Sequence, residues 1–125
     1  MRKTAVLLAA LAGCAAIDHQ PVEGWPALEI VEHYVPADEM MQRCRKYAGF
    51  GALPLGCAEF NLAARRCDIW LSESFAPRAL LEHERLHCRG YDHVGATAMR
   101  DLLARYQAAS GASRTASSPA TQGSE

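Results

Sequence analysis

The stretch CDIWLSESFAPRALLEHERLHCRG, residues 67–90, decides how this chain folds, because it encodes a strand, a short turn and a helix. CDIWLS (67–72) places alternate apolar side chains on one face, as a half-buried strand does. Pro77 suits the first turn of a helix and Gly90 suits the residue just past a helix end, which predicts a helix from about residue 76 to 88. The connection is short, so we expect the helix to run back along the strand.

The segment just before this stretch predicts the partner strand of a hairpin. CAEFNL (57–62) is separated from CDIWLS by AARR (63–66). A four-residue loop of this kind pairs Leu62 with Cys67, Phe60 with Ile69, and Ala58 with Leu71. Successive strand residues point to opposite faces, so this register gives the hairpin one clearly apolar face on which the helix can pack.

Four cysteines besides Cys14 indicate two disulfides, because an even number in a small exported domain is typical of a disulfide framework. They are Cys44, Cys57, Cys67 and Cys88. A zinc site built from cysteines is the alternative, but no C-x-x-C pair supports it.

Three pairings of these cysteines are possible. The hairpin separates Cys57 from Cys67 by roughly 16 Å at about 3.3 Å per residue, whereas a disulfide needs Cα atoms within about 7 Å. The strand of about 17 Å and the helix of about 18 Å match in length, which brings Cys88 back to Cys67. We therefore predict Cys67–Cys88 and, by remainder, Cys44–Cys57.

The remaining elements complete a small domain. LEIVEHYV (28–35) predicts a strand that Pro36 stops, and ADEMMQRCRKY (37–47) predicts a helix with an acidic first turn and a basic last turn. TAMRDLLARYQAA (97–109) predicts a last helix with an apolar stripe. The predicted order is β-α-β-β-α-α, which makes the fold class α+β, stabilised by disulfides.

The first 14 residues, MRKTAVLLAALAGC, have the layout of a secretory signal, with Arg2 and Lys3 before a short apolar run. Their ending LAGC (11–14) resembles the lipobox of bacterial lipoproteins. The resemblance implies cleavage before Cys14 and acylation of this residue, with palmitate among the acyl chains. Ala15 follows it instead of an aspartate, which by analogy implies a lipid anchor in the outer membrane of the cell envelope, facing the periplasm. A plain signal peptide with a chance cysteine is the alternative.

The chain of 125 residues thus divides into a signal peptide (1–13), a lipidated tether (14–24), a folded domain (25–108) and a small, polar, disordered tail (109–125). The formal net charge is −1 and no basic stripe is present, so we expect no nucleic-acid partner. No apolar run of about 18 residues follows the signal peptide, so the membrane partner is reached through the lipid alone. Oligomeric state stays open.

The candidate metal ligands and the candidate general base lie in one stretch, HERLHCRGYDH (83–93). His83 and His87 lie four residues apart, one turn apart on one helix face, so both imidazoles can bind one metal ion. Glu84 points about 100° away, which suits a general base better than a ligand. A helix could not bring His93 back to the same ion, but a left-handed turn at Gly90 could.

The pattern H-E-x-x-H-x-x-G-x-x-H resembles the metzincin signature of zinc peptidases. The resemblance implies one Zn²⁺ per chain bound by His83, His87 and His93, with Glu84 as catalytic base. Met99 falls on the apolar stripe of the last helix, so we expect it in the core and not in the methionine turn that metzincins carry beneath the metal. The likeness is therefore to zincin-type peptidases with a metzincin-like ligand string, on a small bacterial lipoprotein, and it implies a zincin-like fold with this helix packed on a small sheet.

Other polar residues have weaker signals. Tyr91 and Tyr106 are candidate oxyanion donors, although packing roles are more common for tyrosine. Asp92 is a candidate for orienting a ligand histidine, with a solvated turn aspartate as the alternative. His19 in the tether and His33 in the first strand lack ligand spacing, so we expect neither to bind the metal. We expect Glu59 and Glu82 to be solvated carboxylates with no special role.

Three ligands leave a fourth position open, as in catalytic zinc sites. The sequence therefore predicts a lipid-anchored zinc metallopeptidase of the bacterial cell envelope that hydrolyses a peptide or protein, with Glu84 as general base. The alternative is a non-catalytic zinc-binding lipoprotein that acts as an adaptor or assembly factor. A metal-free structural lipoprotein is a third possibility, and no feature identifies the substrate.

Overall fold

A three-stranded sheet and a two-stranded sheet organise the computed structural model, which describes residues 18–47 and 54–116. In chain order the elements are β1 (His19–Pro21), β2 (Glu29–Val35), α1 (Ala37–Cys44), a 3₁₀ turn (Arg45–Tyr47), β3 (Gly56–Asn61), β4 (Arg66–Ser72), α2 (Arg78–Cys88), β5 (Tyr91–His93) and α3 (Ala98–Ala116). The α+β class is confirmed.

The larger sheet has the order β2-β4-β3, with β4 parallel to β2 and antiparallel to β3. The predicted β3–β4 hairpin is present, but its predicted register was wrong by two residues, since Phe60 pairs with Cys67 and Ala58 with Ile69. The turn explains the shift: Asn61 accepts a hydrogen bond from the Ala64 amide through its side chain at 3.0 Å, and Arg65 adopts a left-handed φ of 51°. A shift of two residues keeps every side chain on its predicted face, so the hydrophobic pattern could not distinguish the two registers.

The two faces of β4 pack two separate clusters of buried residues. Cys67, Ile69 and Leu71 are fully buried and pack with Leu80 and Cys88 of α2. On the other face Trp70 packs against a second cluster, which consists of Met40, Cys44 and Cys57. Helix α2 is thereby held on one face of the sheet and α1 on the other.

Each cluster contains one disulfide. Cys67 is bonded to Cys88 and Cys44 to Cys57, with Cα–Cα distances of 5.6 Å and 5.5 Å. This is the pairing that the sequence predicts. The error in register did not affect it, because the shift leaves Cys57 and Cys67 on opposite faces of the hairpin.

The structure has two strands that the predicted order β-α-β-β-α-α lacks. β1 and β5 pair antiparallel as a second sheet, so His19–Pro21 lies in a strand within the range predicted as a tether. Each strand has three residues, too few for a recognisable alternation of apolar and polar side chains. Helix α3 also continues to Ala116, into the range predicted as a disordered tail.

The predicted signal peptide, Cys14 and the end of the predicted tail lie outside the described residues. Among the helices of residues 18–47 and 54–116, none is both long enough and apolar enough to cross a membrane.

Candidate metal centre

Helix α2 and the turn after it bring three histidines of the predicted motif together. His83 and His87 lie one turn apart on α2, and Gly90 follows with a φ of +94°. A Cβ at Gly90 would lie 2.6 Å from Cγ of Trp25, so both the backbone conformation and the close approach of Trp25 require glycine. The chain then reverses into β5, which ends at His93.

The ring nitrogens of these histidines have the spacing of ligands around one ion. Nε2 of His83 lies 3.2 Å from Nε2 of His87 and 3.2 Å from Nε2 of His93. Two nitrogens bound tetrahedrally to one zinc at 2.0–2.1 Å would lie roughly 3.3 Å apart. Nε2 of His83 therefore lies as far from each of the other two nitrogens as it would if they shared one zinc ion.

Hydrogen bonding and burial favour the neutral form of the His83 and His87 imidazoles. Nδ1 of His87 donates a hydrogen bond to the main-chain oxygen of Tyr91 at 2.7 Å, so Nε2 of the neutral ring carries a lone pair. Burial lowers the pKa of His83 to about 4, with a smaller contribution from the charges of the neighbouring histidines. Burial also lowers the pKa of His87. A single proton on Nε2 of His83 could form a hydrogen bond with only one of the two neighbouring Nε2 atoms, whereas one metal ion could bind all three nitrogens.

His19 joins this group, contrary to the prediction that it has no part in the metal site. It pairs with His93 in the β1–β5 register, and its ring centroid lies 4.9 Å from that of His83. The ligand atoms of the four histidines lie within 4.8 Å of one another, an arrangement that could hold a metal ion. Nε2 of His19 is buried and has no hydrogen-bond partner. Buried polar atoms are rarely unpaired in folded proteins, so this nitrogen lacks the partner that a metal would supply.

Glu84 lines the same cavity as His83, His87 and His93. The cavity has a volume of about 320 Å³, and it is also lined by apolar side chains that include Phe60 and Met99. Glu84 is only 6% exposed, and this burial raises the pKa of its carboxyl group to about 7. The cavity therefore combines imidazole ligands, a carboxyl group that titrates near neutral pH and an apolar wall.

Asp92 has neither of the roles considered from the sequence. It is buried, and its two carboxylate oxygens accept hydrogen bonds from the main-chain amides of His93 at 2.8 Å and Met99 at 3.2 Å. It thus joins β5 to the first turn of α3 and holds the backbone of a candidate ligand, not its imidazole ring.

The two tyrosines proposed as oxyanion donors are absent from the described lining of the cavity. Tyr91 is 39% exposed and contributes its main-chain oxygen to His87, while Tyr106 lines a separate groove with Leu102 and Arg105. Tyr47, for which the sequence carries no functional signal, does line the cavity.

The other polar residues outside the predicted metal motif have partners of their own. His33 bonds Asp68 at 2.6 Å and stacks on Trp70. Glu82 pairs with Arg85 at 2.7 Å. Glu59 pairs with Lys46 at 2.9 Å and also accepts a bond from Tyr47, so it is not simply solvated. Met99 is buried, as predicted for a core residue.

No protein-family model matches the chain, and no curated protein and no solved structure matches it. The case for a function therefore depends on the residues and their geometry.

Proposed function

We propose that this protein is a lipid-anchored zinc metallopeptidase of the bacterial cell envelope, with a zincin-like arrangement of its metal helix on a small sheet. The observation that carries the proposal is the position of buried Glu84 in one cavity with His83, His87 and His93. A metal site that only stabilised the fold would need the histidines but would not need a carboxyl group buried beside them.

The donor set suits zinc. Imidazole nitrogens are common zinc ligands, and the spacing of 3.2 Å between Nε2 of His83 and those of His87 and His93 fits tetrahedral binding. The hydrogen bond from Nδ1 of His87 to the Tyr91 oxygen fixes the ring orientation and would leave Nε2 available to bind the metal. When bound, zinc would supply Lewis acidity to polarise a carbonyl group and to lower the pKa of water.

Glu84 supplies the proton transfer in this proposal. A carboxyl group with a pKa of about 7 can take a proton from the attacking water and give it to the leaving amine at neutral pH. A bound cation would lower this pKa and favour the carboxylate, which is the form that accepts the proton.

The substrate site in this proposal is the cavity beside β3. This strand has one neighbour, β4, within the described part of the chain, and Gly56, Ala58 and Phe60 line the cavity. An edge strand can bind an extended peptide through main-chain hydrogen bonds. We therefore propose a peptide or an extended protein segment as the substrate.

The lipid anchor would keep this site close to the membrane. His19 follows Cys14 by five positions, and a chain of that length spans at most about 18 Å. A substrate near the membrane surface would be within reach.

A non-catalytic zinc-binding lipoprotein is the second candidate, and His19 is the observation that favours it. Four imidazoles around one ion form a closed site, which is typical of structural zinc.

Glu84→Gln separates the two candidates. The purified full-length protein and this variant are compared for zinc content and for cleavage of a mixed peptide library. The peptidase proposal expects equal zinc content in both proteins, with cleavage by the wild type and none by Glu84→Gln. Glu82→Gln, on the same helix but paired with Arg85, is the matched control and should cleave like the wild type. Equal turnover by Glu84→Gln would exclude Glu84 as the base. No cleavage by any of these proteins, nor by His19→Ala, in which a fourth histidine of the cluster is removed, would favour the binding protein.

A further inference from the structure

We propose that His19 is a fourth ligand of the metal, so that β1 occupies the coordination position that a substrate needs and keeps the site latent until β1 separates from β5. This inference rests on the proposed function, and it adds a ligand and a form of regulation.

The surroundings of His19 are those of a ligand. Its ring centroid lies 4.9, 5.6 and 5.4 Å from those of His83, His87 and His93. Its Nε2 atom is buried without a hydrogen-bond partner. A histidine that only packed against its neighbours would be expected to leave this nitrogen in water or to bond it to a protein group.

Several main-chain and side-chain hydrogen bonds hold His19 beside the other three histidines. β1 pairs with β5 so that His19 faces His93, and the side-chain amide of Gln20 donates hydrogen bonds to the main-chain oxygens of His93 and Ala96, both at 3.2 Å. The Val94 amide also donates to the Asp18 oxygen at 3.0 Å. These bonds align the strand that carries the proposed fourth ligand with the strand that carries the third.

The pairing of β1 with β5 is short, so its separation breaks few main-chain hydrogen bonds. β1 has three residues and pairs only with β5 among the described strands, and an isolated pair of strands is marginally stable in water. The chain after it has contacts of its own with α2 and β3, since Nε1 of Trp25 donates to the Cys88 oxygen at 3.2 Å and the Trp25 ring packs on Phe60. Movement of β1 would therefore leave α2 and its histidines in place.

Two states follow. With His19 bound, four imidazoles saturate a tetrahedral ion. With β1 displaced, three histidines remain and one position opens beside Glu84, as catalytic zinc sites require.

The test uses the full-length protein loaded with Zn²⁺ or Co²⁺ and compares the wild type, His19→Ala and His19→Phe, in which the phenyl ring keeps packing volume but has no ligand atom. His33→Ala is the matched control, because His33 lies outside the cluster and bonds Asp68. Zinc affinity is measured by competition with a chromophoric chelator, and access to the ion by titrating azide into the Co²⁺ protein while recording its visible spectrum.

We expect both His19 variants to lose at least about tenfold in zinc affinity, because even the loss of groups that only support a ligand costs this much. Azide should change the Co²⁺ spectrum of both variants at concentrations that leave the wild type and His33→Ala unchanged. Unaltered zinc affinity together with equal azide binding in all four proteins would overturn the inference.

Peptide cleavage distinguishes failure of this inference from failure of the proposed function. Faster cleavage by His19→Ala than by the wild type supports latency. Weaker zinc binding and new azide binding without cleavage by any form support His19 as a ligand and reject the peptidase. Equal cleavage by the wild type and His19→Ala rejects latency and leaves the peptidase standing.

Discussion

Cys88, which is bonded to Cys67 of β4, is the residue that directly follows His87 on α2. The disulfide therefore fixes the end of α2, which carries two of the candidate metal ligands, to the central strand, at the point where the chain turns towards His93. Both cysteines are fully buried, so the bond also contributes to the core that packs α2 on the sheet.

Replacing Cys67 and Cys88 together by serine should lower the free energy of unfolding by about 2–5 kcal/mol, the usual cost of removing a native disulfide from a small domain. It should also weaken zinc binding, because the end of α2 gains freedom next to His87. Urea denaturation and chelator competition measure the two effects. The Cys44–Cys57 bond, which lies in the other cluster, provides the control. Its removal should destabilise the fold with a smaller effect on zinc, and equal effects on zinc would contradict the coupling.

His93→Ala should lower zinc affinity by at least about tenfold, because it removes a ligand and not merely a group that supports one. His33→Ala, whose imidazole pairs with Asp68, should bind zinc as the wild type does. Titration with a chromophoric chelator gives both affinities. Stoichiometric, equally tight zinc in His93→Ala would show that β5 contributes no ligand and that the site depends on α2.

The histidine motif of the candidate metal centre could be predicted from the sequence because the residues that form it are close together along the chain. His83 and His87 are related by one helical turn, and Gly90 marks the reversal that brings back His93. His19 could not be predicted, since it lies 64 positions before His83 in a strand of three residues. Only the tertiary pairing of β1 with β5 brings it to the cluster.

The disulfide pairing could be predicted from the sequence, whereas the register of the hairpin could not. The disulfide pairing followed from the lengths of a strand and a helix with a short connection. The register of β3 and β4 depended on the turn, in which Asn61 bonds the Ala64 amide and Arg65 adopts a positive φ. Because side chains alternate between the two faces with a period of two residues, the hydrophobic pattern does not distinguish strand registers that differ by two residues.

Asp68 should make the fold sensitive to acid. Its hydrogen bonds with Arg66, at 2.7 Å, and with His33, at 2.6 Å, lower the pKa of its carboxyl group. A carboxyl group whose pKa is lower in the folded state stabilises the fold above its unfolded pKa of about 3.9, and this contribution is lost as the pH falls through the folded pKa.

Asp68→Asn should therefore cost about 1 kcal/mol at pH 7. The difference between the variant and the wild type should shrink as the pH falls below about 4. Urea denaturation of metal-free protein at several pH values tests this, since release of metal then makes no contribution. A difference that stays constant down to the lowest pH would indicate that the charge of Asp68 has no part in stability.

Cys14→Ser should abolish acylation and leave the precursor uncleaved by the lipoprotein signal peptidase, because the serine hydroxyl cannot accept the lipid. Labelling with radioactive palmitate, with the size of the product on a gel, measures both. Ala15→Asp keeps the cysteine and should keep the label while changing the membrane fraction in which the protein is found. Palmitate incorporation by Cys14→Ser equal to that of the wild type would reject the lipid anchor.

Gly90→Ala should damage both the fold and the metal centre. At a φ of +94° an alanine is strained, which costs about 1–2 kcal/mol. Its Cβ would in addition lie 2.6 Å from Cγ of Trp25, and overpacking of this kind typically costs a further 1–3 kcal/mol or so. Any relief must move Trp25 or the turn that leads to His93, so zinc affinity should fall together with stability.

Gly95→Ala separates the two causes. Gly95 has a similar φ of +84°, but a Cβ there would meet no atom within 4 Å. This variant should show the cost of backbone strain alone and should keep zinc affinity close to that of the wild type. Thermal denaturation and chelator competition on both variants provide the comparison. If Gly90→Ala were no less stable than Gly95→Ala and bound zinc equally well, the contact between Gly90 and Trp25 would not be what holds His93 at the metal centre.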